Sequence, residues 1–460
     1  MFAALNSFLT RAVSGYFLNK SLRFRSSASA YLNRTPATAT NRTTWTWSAW
    51  VKRGSLGVLQ PMFSAGTAGT DYTLLDFTTS NELQLTQNTA SVNTAYITSS
   101  ALFRDPAAWY HIVAVWNTTS GTSTITGTTT DRLQLWVNGV QISSFSSTTV
   151  PTQNTTSFIN NTVVHYEGLY STAYFDGEMA EVNFIDGRAV PIAELGASSI
   201  YNQWLPIKYA GTYGTNGFYL PFTNTTSTST LVADSSGNAN NWTPNNISLT
   251  AGSTYDSLTD VPTLTSTTVA NYAVLNPLDV VTGNTFSLID GNLSFSATTT
   301  AWNALRGSIA VSSGKWYVEG TIKIAASTGN DFGFALTSVT TTANWAVAGA
   351  YVIGYNGTPS AFVYNNGVSG GNFPATPVTG DVVAIALNLD TGEIWYALNN
   401  VWKSGSPSLG TSPSASGLSG TFIPVADVYG ASSGWKLNFG QQPFTYTPPS
   451  GFLPLNTFNI

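Results

Sequence analysis

From residue 21 onward, short apolar runs alternate with clusters of Gly, Asn, Asp, Ser and Pro. The runs are rich in Val, Ile, Thr, Tyr, Phe and Trp, the residue types that fit a pleated sheet, and none has a long helical period. Strands at this spacing are typical of sandwiches and barrels. The pattern therefore predicts an all-β chain with two antiparallel, jelly-roll-like β-sandwich domains.

The clearest hairpin lies in GDVVAIALNLDTGEIWYALNNVW, residues 380–402. If Leu389 faces Ile394 across a four-residue turn, one face of both strands is continuously apolar. The opposite face, which carries Ala386 and Trp395, is also mostly apolar. We therefore expect this hairpin to lie in a sheet that is covered on both sides.

A second hairpin is predicted in LQLWVNGVQI, residues 133–142. Its Asn138-Gly139 pair favours a tight type I′ turn, because both residue types tolerate a positive φ. The run WYHIVAVW at 109–116 has a similar strand pattern. The two halves therefore follow one plan, although their sequences are not repeats of each other.

The first 20 residues follow a different period. Their apolar side chains recur at helical spacing, which predicts a short amphipathic N-terminal helix with the face Phe2, Leu5, Leu9, Val13 and Tyr16. The stretch lacks a basic start and a small-residue cleavage site, so it is not expected to be a signal peptide. Two interpretations remain open: the helix packs on its own domain, or it is an arm that docks on another subunit.

Composition limits the chemistry that the chain can perform. Its 460 residues exceed what one core usually serves, and solubility must come from Ser, Thr, Asn and Gly because only 8% of residues are charged. A net charge of -5, with dispersed Lys and Arg, offers no basic surface for nucleic acid. The lack of Cys excludes disulfides and thiolate sites. No apolar run approaches the ~20 residues of a membrane span, so no membrane insertion is expected.

Candidate catalytic groups are sparse. Glu178 and Glu181 are the one pair comparable to the two acids of a glycan hydrolase. A spacing of three puts them on opposite faces of a regular strand, so they share no cleft unless the strand has a bulge. His111 and His165 have no nucleophile or acid beside them in a recognisable motif and are interpreted as core residues. The chain is therefore predicted not to be an enzyme.

Calcium is the one cofactor that the residues bring into consideration. Asp131, Asp176 and Asp186 lie in predicted loops and carry oxygen donors. Calcium takes six to eight oxygens, and no loop concentrates acids in the alternating pattern of an EF-hand. Asp in such loops is more often a turn former. We therefore expect no cofactor, with calcium at these aspartates as the alternative.

The first half resembles a known family. TWTWSAWVKRG (44–54) and FDGEMAEVNFIDGRAV (175–190), with the strand WYHIVAVW between them, are similar to β-sandwiches of the concanavalin A-like, laminin-G or pentraxin type. The resemblance covers roughly residues 21–208. It implies a sandwich domain whose relatives sometimes bind calcium at the rim.

The second half resembles SPRY domains. GKWYVEGTI (314–322), DFGFAL (331–336), the hairpin at 380–402 and the closing stretch at 422–452 follow, in order, the strand motifs of that family. The resemblance implies a two-sheet sandwich over residues 284–460, with variable loops that bind protein or peptide partners.

Residues 209–283, rich in Thr, Ser and Asn, are interpreted as an irregular connector. The stretch LVADSSGNANNWTPNNISLTAG (231–252) between two such domains resembles virion proteins of tailed bacteriophages. The resemblance implies a structural, non-enzymatic virion protein, exposed as a tail fibre or other appendage that binds a host glycan or protein. A purely architectural capsid-decoration or tail protein is the alternative, and a divergent glycan hydrolase is a further one.

The resemblance to virion proteins also implies partners for this chain. Other virion proteins would hold the N-terminal arm, residues 1–20, and the analogy with fibres implies a homo-oligomer, a trimer. Trp242 and Trp345, in predicted loops, are candidates to stack on a host glycan. Trp402 ends a strand motif and is interpreted as a core residue.

Overall fold

The computed structural model describes residues 15–281, 285–324, 329–341, 344–356, 360–373, 377–431 and 433–460. Nearly all of the described elements are β-strands, and the strands pair antiparallel within their sheets. They form two compact units, residues 15–249 with 256–264 and residues 250–255 with 265–460. The prediction of an all-β chain with antiparallel sheets is confirmed.

The first unit contains two large sheets. Its strands, in chain order, are β1 (Ser21–Phe24), β2 (Tyr31–Arg34), β3 (Thr44–Arg53), β4 (Gln60–Thr67), β5 (Asp71–Phe77), β6 (Glu82–Thr89), β7 (Val92–Leu102), β8 (Trp109–Asn117), β9 (Leu133–Val137), β10 (Val140–Gln141), β11 (Phe145–Thr149), β12 (His165–Glu167), β13 (Leu169–Tyr170), β14 (Ala173–Tyr174), β15 (Gly177–Asp186), β16 (Gly196–Ser198), β17 (Trp204–Pro206), β18 (Phe218–Leu220), β19 (Thr243–Asn245) and β20 (Ser257–Leu258). One sheet has the order β10-β9-β8-β3-β15-β1-β20, with β18 also paired to β15, and the other has the order β11-β7-β6-β5-β4-β12-β2-β19.

Helical structure in this unit is short. Among its described residues, it consists of α1 (Thr228–Leu231) and single 3-10 turns at Ser26–Ala28 and Ile192–Glu194. Among the described residues of the whole chain, no helix is long and apolar enough to cross a membrane.

The core of the first unit draws side chains from both large sheets. Along β3, the alternate residues Trp45, Trp47 and Val51 are buried in one cluster with Phe63 of the other sheet, as the two-residue period of a strand requires. The opposite face of the β3 sheet is also covered, by a second cluster that includes Tyr209. This sheet is therefore buried on both faces, and polar groups on its outer face need partners.

The second unit is another two-sheet sandwich. Its strands are β21 (Leu275–Val280), β22 (Phe286–Ile289), β23 (Ser294–Ala297), β24 (Asn303–Gly307), β25 (Lys315–Ile324), β26 (Asn330–Leu336), β27 (Ala350–Asn356), β28 (Ser360–Asn365), β29 (Val368–Asn372), β30 (Val382–Asn388), β31 (Glu393–Leu398), β32 (Val401–Trp402), β33 (Ala415–Ser416), β34 (Phe422–Val428) and β35 (Gly434–Asn438), with a 3-10 turn at Pro407–Leu409. The sheet orders are β21-β24-β34-β26-β27-β28-β29 and β22-β23-β35-β25-β30-β31-β32, with β33 also paired to β31.

The hairpin of β30 and β31 forms as predicted, but its register differs by two residues. Leu387 faces Ile394, and Asn388 faces Glu393, so the loop begins at Leu389, a residue earlier than expected. Because the register shifts by an even number of residues, the same side chains still lie on the same faces as predicted. One face enters the main core, and the other packs with Trp395 in a separate cluster, so the sheet is covered on both sides. Trp402 packs against that second cluster, as expected of a core residue.

The unit boundaries differ from the predicted ones at 208 and 284. Residues 209–264 are not an irregular connector between sandwiches: β18 pairs with β15, β19 pairs with β2 and β20 pairs with β1. In the second unit, β21 pairs with β24 although it precedes residue 284. These strands were not predicted from the Thr- and Asn-rich sequence, because they are short and most of their stabilisation comes from partners that are distant in the chain.

The N-terminal segment is described from residue 15 onward. Phe2, Leu5, Leu9 and Val13 of the predicted helix lie outside the described residues. The fifth residue of that face, Tyr16, belongs to no helix, and its hydroxyl contacts the first unit instead.

Candidate functional site

Trp242 and Trp345 are core residues, which corrects their assignment as exposed ligand contacts. Trp242 is 3% exposed and packs edge-on against Phe218, with ring centroids 5.0 Å apart. Trp345 is fully buried, and its Nε1 donates to the carbonyl oxygen of Ala426 at 3.1 Å. Neither ring is available to stack on a ligand. Their polar neighbours suggested loops, but these loops fold back over the sheets.

The loop before Trp242 shows how a polar stretch can bury an aromatic ring. Both carboxylate oxygens of Asp234 accept backbone N–H groups: Oδ1 from Tyr219 at 2.9 Å and from Ser236 at 2.8 Å, and Oδ2 from Asn240 at 2.8 Å. These bonds tie the DSSGN stretch to β18. The DSSGN stretch therefore stabilises the loop that covers Trp242.

Asp131, Asp176 and Asp186 do not form a common metal site. No group of three or more His, Asp or Glu side chains that could hold a metal occurs among the described residues. Asp131 is fully buried, and its Oδ2 accepts the backbone N–H groups of Thr126, Gly127 and Thr128 at 2.9, 2.7 and 3.0 Å. Asp131 therefore stabilises its own turn, which agrees with the expectation that Asp in such a loop is a turn former.

The other two aspartates accept hydrogen bonds from segments that are distant in sequence. Oδ2 of Asp176 accepts the hydroxyls of Ser26 at 2.9 Å and Ser55 at 2.8 Å. Asp186 accepts the side-chain amide of Asn160 at 2.9 Å and the backbone N–H of Asn216 at 3.0 Å. Protein donors thus already occupy oxygens that a calcium ion would need.

Glu178 and Glu181 lie on the same face of β15, which corrects the geometric argument made from their spacing. The inward-facing residues Met179 and Val182 are three apart, and the pairing of β15 with β3 shifts between Ala180 and Asn183. Glu181 has a φ of 54° at this β-bulge. The extra residue turns both carboxylates to the outer face.

Neither glutamate is exposed, and different partners hold them. Glu178 is 1% exposed and accepts the hydroxyl of Ser21 at 3.4 Å, close to the buried Lys52 and Asp260. Its burial, together with the negative charge of Asp260, raises its pKa well above the usual value. A carboxyl group in such surroundings has no route to a substrate.

Glu181 is held by two tyrosine hydroxyls. Tyr16 donates to Oε1 and Tyr219 donates to Oε2, each at 2.8 Å. Burial raises the pKa of Glu181 to about 7, although both hydrogen bonds and the charge of Lys208 act in the opposite direction. The side chain therefore joins the N-terminal segment to β15 and β18.

Both histidines are buried core residues, as predicted. His111 shares a hydrogen bond of 2.9 Å with Ser48, accepts Nε1–H of Trp204 at 2.9 Å and stacks on Trp50. Burial lowers its pKa to about 3. His165 accepts a backbone N–H from Asn160 at 3.0 Å, and burial lowers its pKa to about 4. Neutral imidazoles with satisfied ring nitrogens act here as structural polar groups.

The first unit has an open groove that the sequence did not indicate. It has a volume of about 730 Å³ and lies where the β6–β7 hairpin, the loop after β11 and the residues before β3 meet. It is lined by Arg42, Gln87, Thr89, Thr94, Val150, Thr152, Asn154, Thr155, Thr156 and Phe158. Seven of these ten residues carry a hydroxyl or an amide group, two are apolar, one is a cation and none has a carboxylate.

Hydrogen bonds from the scaffold fix the loop that forms one wall of the groove. The backbone N–H of Ser157 donates to the carbonyl oxygen of Arg42 at 2.8 Å. The side-chain amide of Gln87, itself 2% exposed, donates to the carbonyl oxygen of Thr156 at 3.1 Å. Such bonds hold the wall in place before any ligand arrives, which lowers the entropic cost of binding.

Arg42 is the cation of the groove. Its Nε donates to the carbonyl oxygen of Ser157 at 2.7 Å. Within the described part of the chain no carboxylate forms an ion pair with it, and burial lowers its pKa from the usual value. Sequence reasoning missed Arg42 because its groove neighbours lie far along the chain, and only the fold brings them together.

The first unit has the fold of a concanavalin A-like β-sandwich domain. The sequence model of the Concanavalin A-like lectin/glucanases superfamily matches residues 26–194, which lie within the first unit. No curated protein sequence matches the chain.

Solved structures that match part of the chain include two SPRY domains and a pentraxin. The SPRY domain of human HERC1 is 14% identical, with 38% of this chain and 99% of that chain covered and a TM-score of 0.27. The PSpry domain of TRIM65 is 11% identical, with coverages of 36% and 92% and a TM-score of 0.27. The native heptameric SAP-like pentraxin from Limulus polyphemus is 14% identical, with coverages of 38% and 78% and a TM-score of 0.27.

Proposed function

We propose that this chain is a non-enzymatic binding and structural protein of a tailed-bacteriophage particle, exposed as a tail fibre or other appendage that contacts the host surface. The observation that carries the binding role is the groove of the first unit, with its hydroxyl and amide lining around Arg42 and Phe158. Sugars are recognised by such groups because hydroxyls pair with hydroxyls and amides, while an aromatic ring covers the apolar face of a pyranose. The virion setting rests on the resemblance of the domain combination and its DSSGN stretch.

The groove favours binding over hydrolysis. A glycan hydrolase needs two carboxyl groups beside the scissile bond, and the described groove lining contains none. Glu178 and Glu181, the candidate acids, are buried among other partners. We therefore infer a protein that holds its ligand without cleaving it. It needs no metal in this role, so a chelator should leave ligand binding unchanged.

Attachment to the particle is assigned to the N-terminal segment, whose apolar face at Phe2, Leu5, Leu9 and Val13 fits a docking helix. The partners are other virion proteins and further copies of the chain, a trimer in the fibre analogy. The second unit is assigned as a SPRY-like module that binds protein. A purely architectural role without a host ligand is the alternative.

Binding of purified full-length protein to host cells tests the proposal. Fluorescently labelled protein should bind intact cells, and periodate treatment of the cells, which destroys sugar diols, should remove binding to a glycan. Protease treatment should remove it instead if a protein is the receptor. Absence of binding to untreated host cells would reject the receptor-binding role in favour of the architectural one, and release of soluble sugar during incubation would reject the non-enzymatic one.

A further inference from the structure

Cations are few in this protein, and Arg42 is one that forms no ion pair among the described residues. The chain has 17 Lys and Arg residues among 460, and its net charge is -5. Some buried cations pair with carboxylates, as Arg23 does with Asp256. Others, such as Arg132, donate to backbone carbonyl oxygens. Arg42 instead lies half-buried at a groove without an acid in its lining.

The hydrogen bond of Arg42 to the protein leaves the N–H groups of its two terminal nitrogens as the remaining donors. Its Nε–H is used by the carbonyl oxygen of Ser157, which fixes the plane of the guanidinium. No partner of its two terminal nitrogens is found among the described residues. Two parallel N–H groups in a fixed plane match the two oxygens of a carboxylate.

The remaining lining selects for a sugar rather than for a small anion. Thr89, Thr152, Asn154 and Thr156 are exposed in the groove and offer hydroxyl and amide groups. Phe158 is half-buried and supplies an apolar surface. The volume of about 730 Å³ falls in the ~300–1,000 Å³ range of ligand sites and exceeds what an inorganic anion fills.

We propose that the groove binds an acidic glycan, with the terminal N–H groups of Arg42 paired to a sugar carboxylate and the threonine and asparagine side chains bound to its ring hydroxyls. This inference rests on the proposed host-surface function and specifies its ligand class. Pairing with an anion also offsets the unfavourable burial of the guanidinium, because a partly desolvated charge gains most from a partner. Neutral sugars leave that charge uncompensated and bind less tightly.

A comparison of matched glycans tests the proposal with the full-length protein. The probes are sialyllactose and hexagalacturonate, each compared with its own methyl ester, so that the members of a pair differ only in the charge of the carboxylate. Binding is measured by calorimetry at low and high salt. We expect at least one acidic probe to bind more tightly than its neutral partner, with an advantage that shrinks as salt screens the charge.

Substitution of Arg42 identifies the residue responsible. Arg42→Gln should weaken binding of the acidic probe by about ten- to a hundredfold, the usual value of a charge-assisted hydrogen bond, and should barely change binding of the neutral one. Arg42→Lys keeps the charge but loses the fork and should fall between the two. Arg104→Gln, at an exposed arginine of the same unit outside the groove lining, is the matched control and should bind as the wild type does.

Thermal unfolding of each variant separates lost binding from lost folding, because Arg42 also contacts Ser157. Equal affinity for acidic and neutral probes, no binding of either acidic probe, or an unchanged affinity in a folded Arg42→Gln variant would overturn the acidic-glycan assignment. If the protein still binds host cells after such a result, the proposed function stands and only the acidic-glycan assignment is rejected. Failure to bind host cells at all would instead reject the proposed function itself.

Discussion

At the scale of single residues, Glu181 has unusual surroundings in the first unit. It combines a positive φ of 54°, a β-bulge and 5% exposure with two tyrosine donors. A non-glycine residue holds this backbone conformation only when its surroundings enforce it. Here the hydrogen bonds from Tyr16 and Tyr219 supply that constraint.

The raised pKa of Glu181 predicts a pH-dependent stability of the first unit. Its pKa is near 4.5 in the unfolded chain and about 7 in the folded one, so the folded state holds the proton more tightly. The associated stability is fully present below about pH 4.5 and is lost as the pH rises through about 7. The size of this contribution is about 3 kcal/mol.

Glu181→Gln removes the titrating group and should flatten that part of the profile. Denaturant unfolding of wild type and variant between pH 4.5 and 8 measures it, and the difference between the two curves cancels the other buried acids. If both proteins lose stability in parallel across this range, the shift of Glu181 is refuted.

At the scale of elements, the segment from Asp256 to Asp260 is held on the first unit by buried ion pairs. Asp256 accepts Nε of Arg25 at 2.7 Å and Nε of Arg23 at 3.2 Å. Asp260 accepts Nζ of Lys52 at 2.6 Å and Nε1 of Trp109 at 3.0 Å. All four contacts between these oxygens and nitrogens are buried from solvent. Removal of one partner there strongly destabilises the folded state, because it leaves a buried charge without compensation.

Asp256→Ala should therefore destabilise the first unit by roughly 3–5 kcal/mol, because it leaves two buried guanidinium groups without their carboxylate. The matched control is Glu194→Ala, which breaks the surface pair of Arg188 and Glu194, with side chains 43% and 36% exposed. That change should cost about 0–1 kcal/mol. Chemical denaturation of both variants at neutral pH gives the comparison, and equal effects would contradict the account of a buried clamp.

At the scale of the whole molecule, the boundary of the second unit decides which fragment folds. Tyr272 and Leu275 are fully buried in its core, and the backbone N–H of Ala273 donates to the carbonyl oxygen of Leu455 at 3.1 Å. A fragment that begins at residue 284, the boundary expected from sequence, lacks all of these contacts.

We expect residues 265–460 to fold alone with a cooperative thermal transition and residues 284–460 to be much less stable. Loss of each large buried side chain costs about 2–5 kcal/mol, and the shorter fragment lacks several. Calorimetry and circular dichroism of the two fragments measure this difference. Identical melting of both would show that β21 contributes nothing to the unit.

The N-terminal segment gives a prediction about assembly. Because Tyr16 and the buried Leu18 belong to the first unit, an informative deletion removes residues 2–14 and keeps both. The truncated protein should keep its circular dichroism spectrum and melting temperature but fail to enter particles or to form oligomers. Measurement requires light scattering and particle purification, and normal incorporation would return the segment to the interpretation of a helix packed on its own domain.

The local patterns of the sequence determined the fold class. Alternation of apolar and polar residues depends on neighbours two positions away, so the strands of the 380–402 hairpin and the turn at Asn138-Gly139 were predictable. The same holds for the core role of His111, since its strand face is apolar. These features need no knowledge of distant segments.

Only the tertiary structure decided which segments cover which faces. Trp242 and Trp345 looked like loop residues, yet they are buried because their loops return to the sheets. A single extra residue at Glu181 reversed the face expected for that carboxylate. The groove at Arg42 arises from three stretches that are far apart in sequence. Local periodicity carries no information about such contacts, because burial depends on long-range packing that no short window of sequence contains.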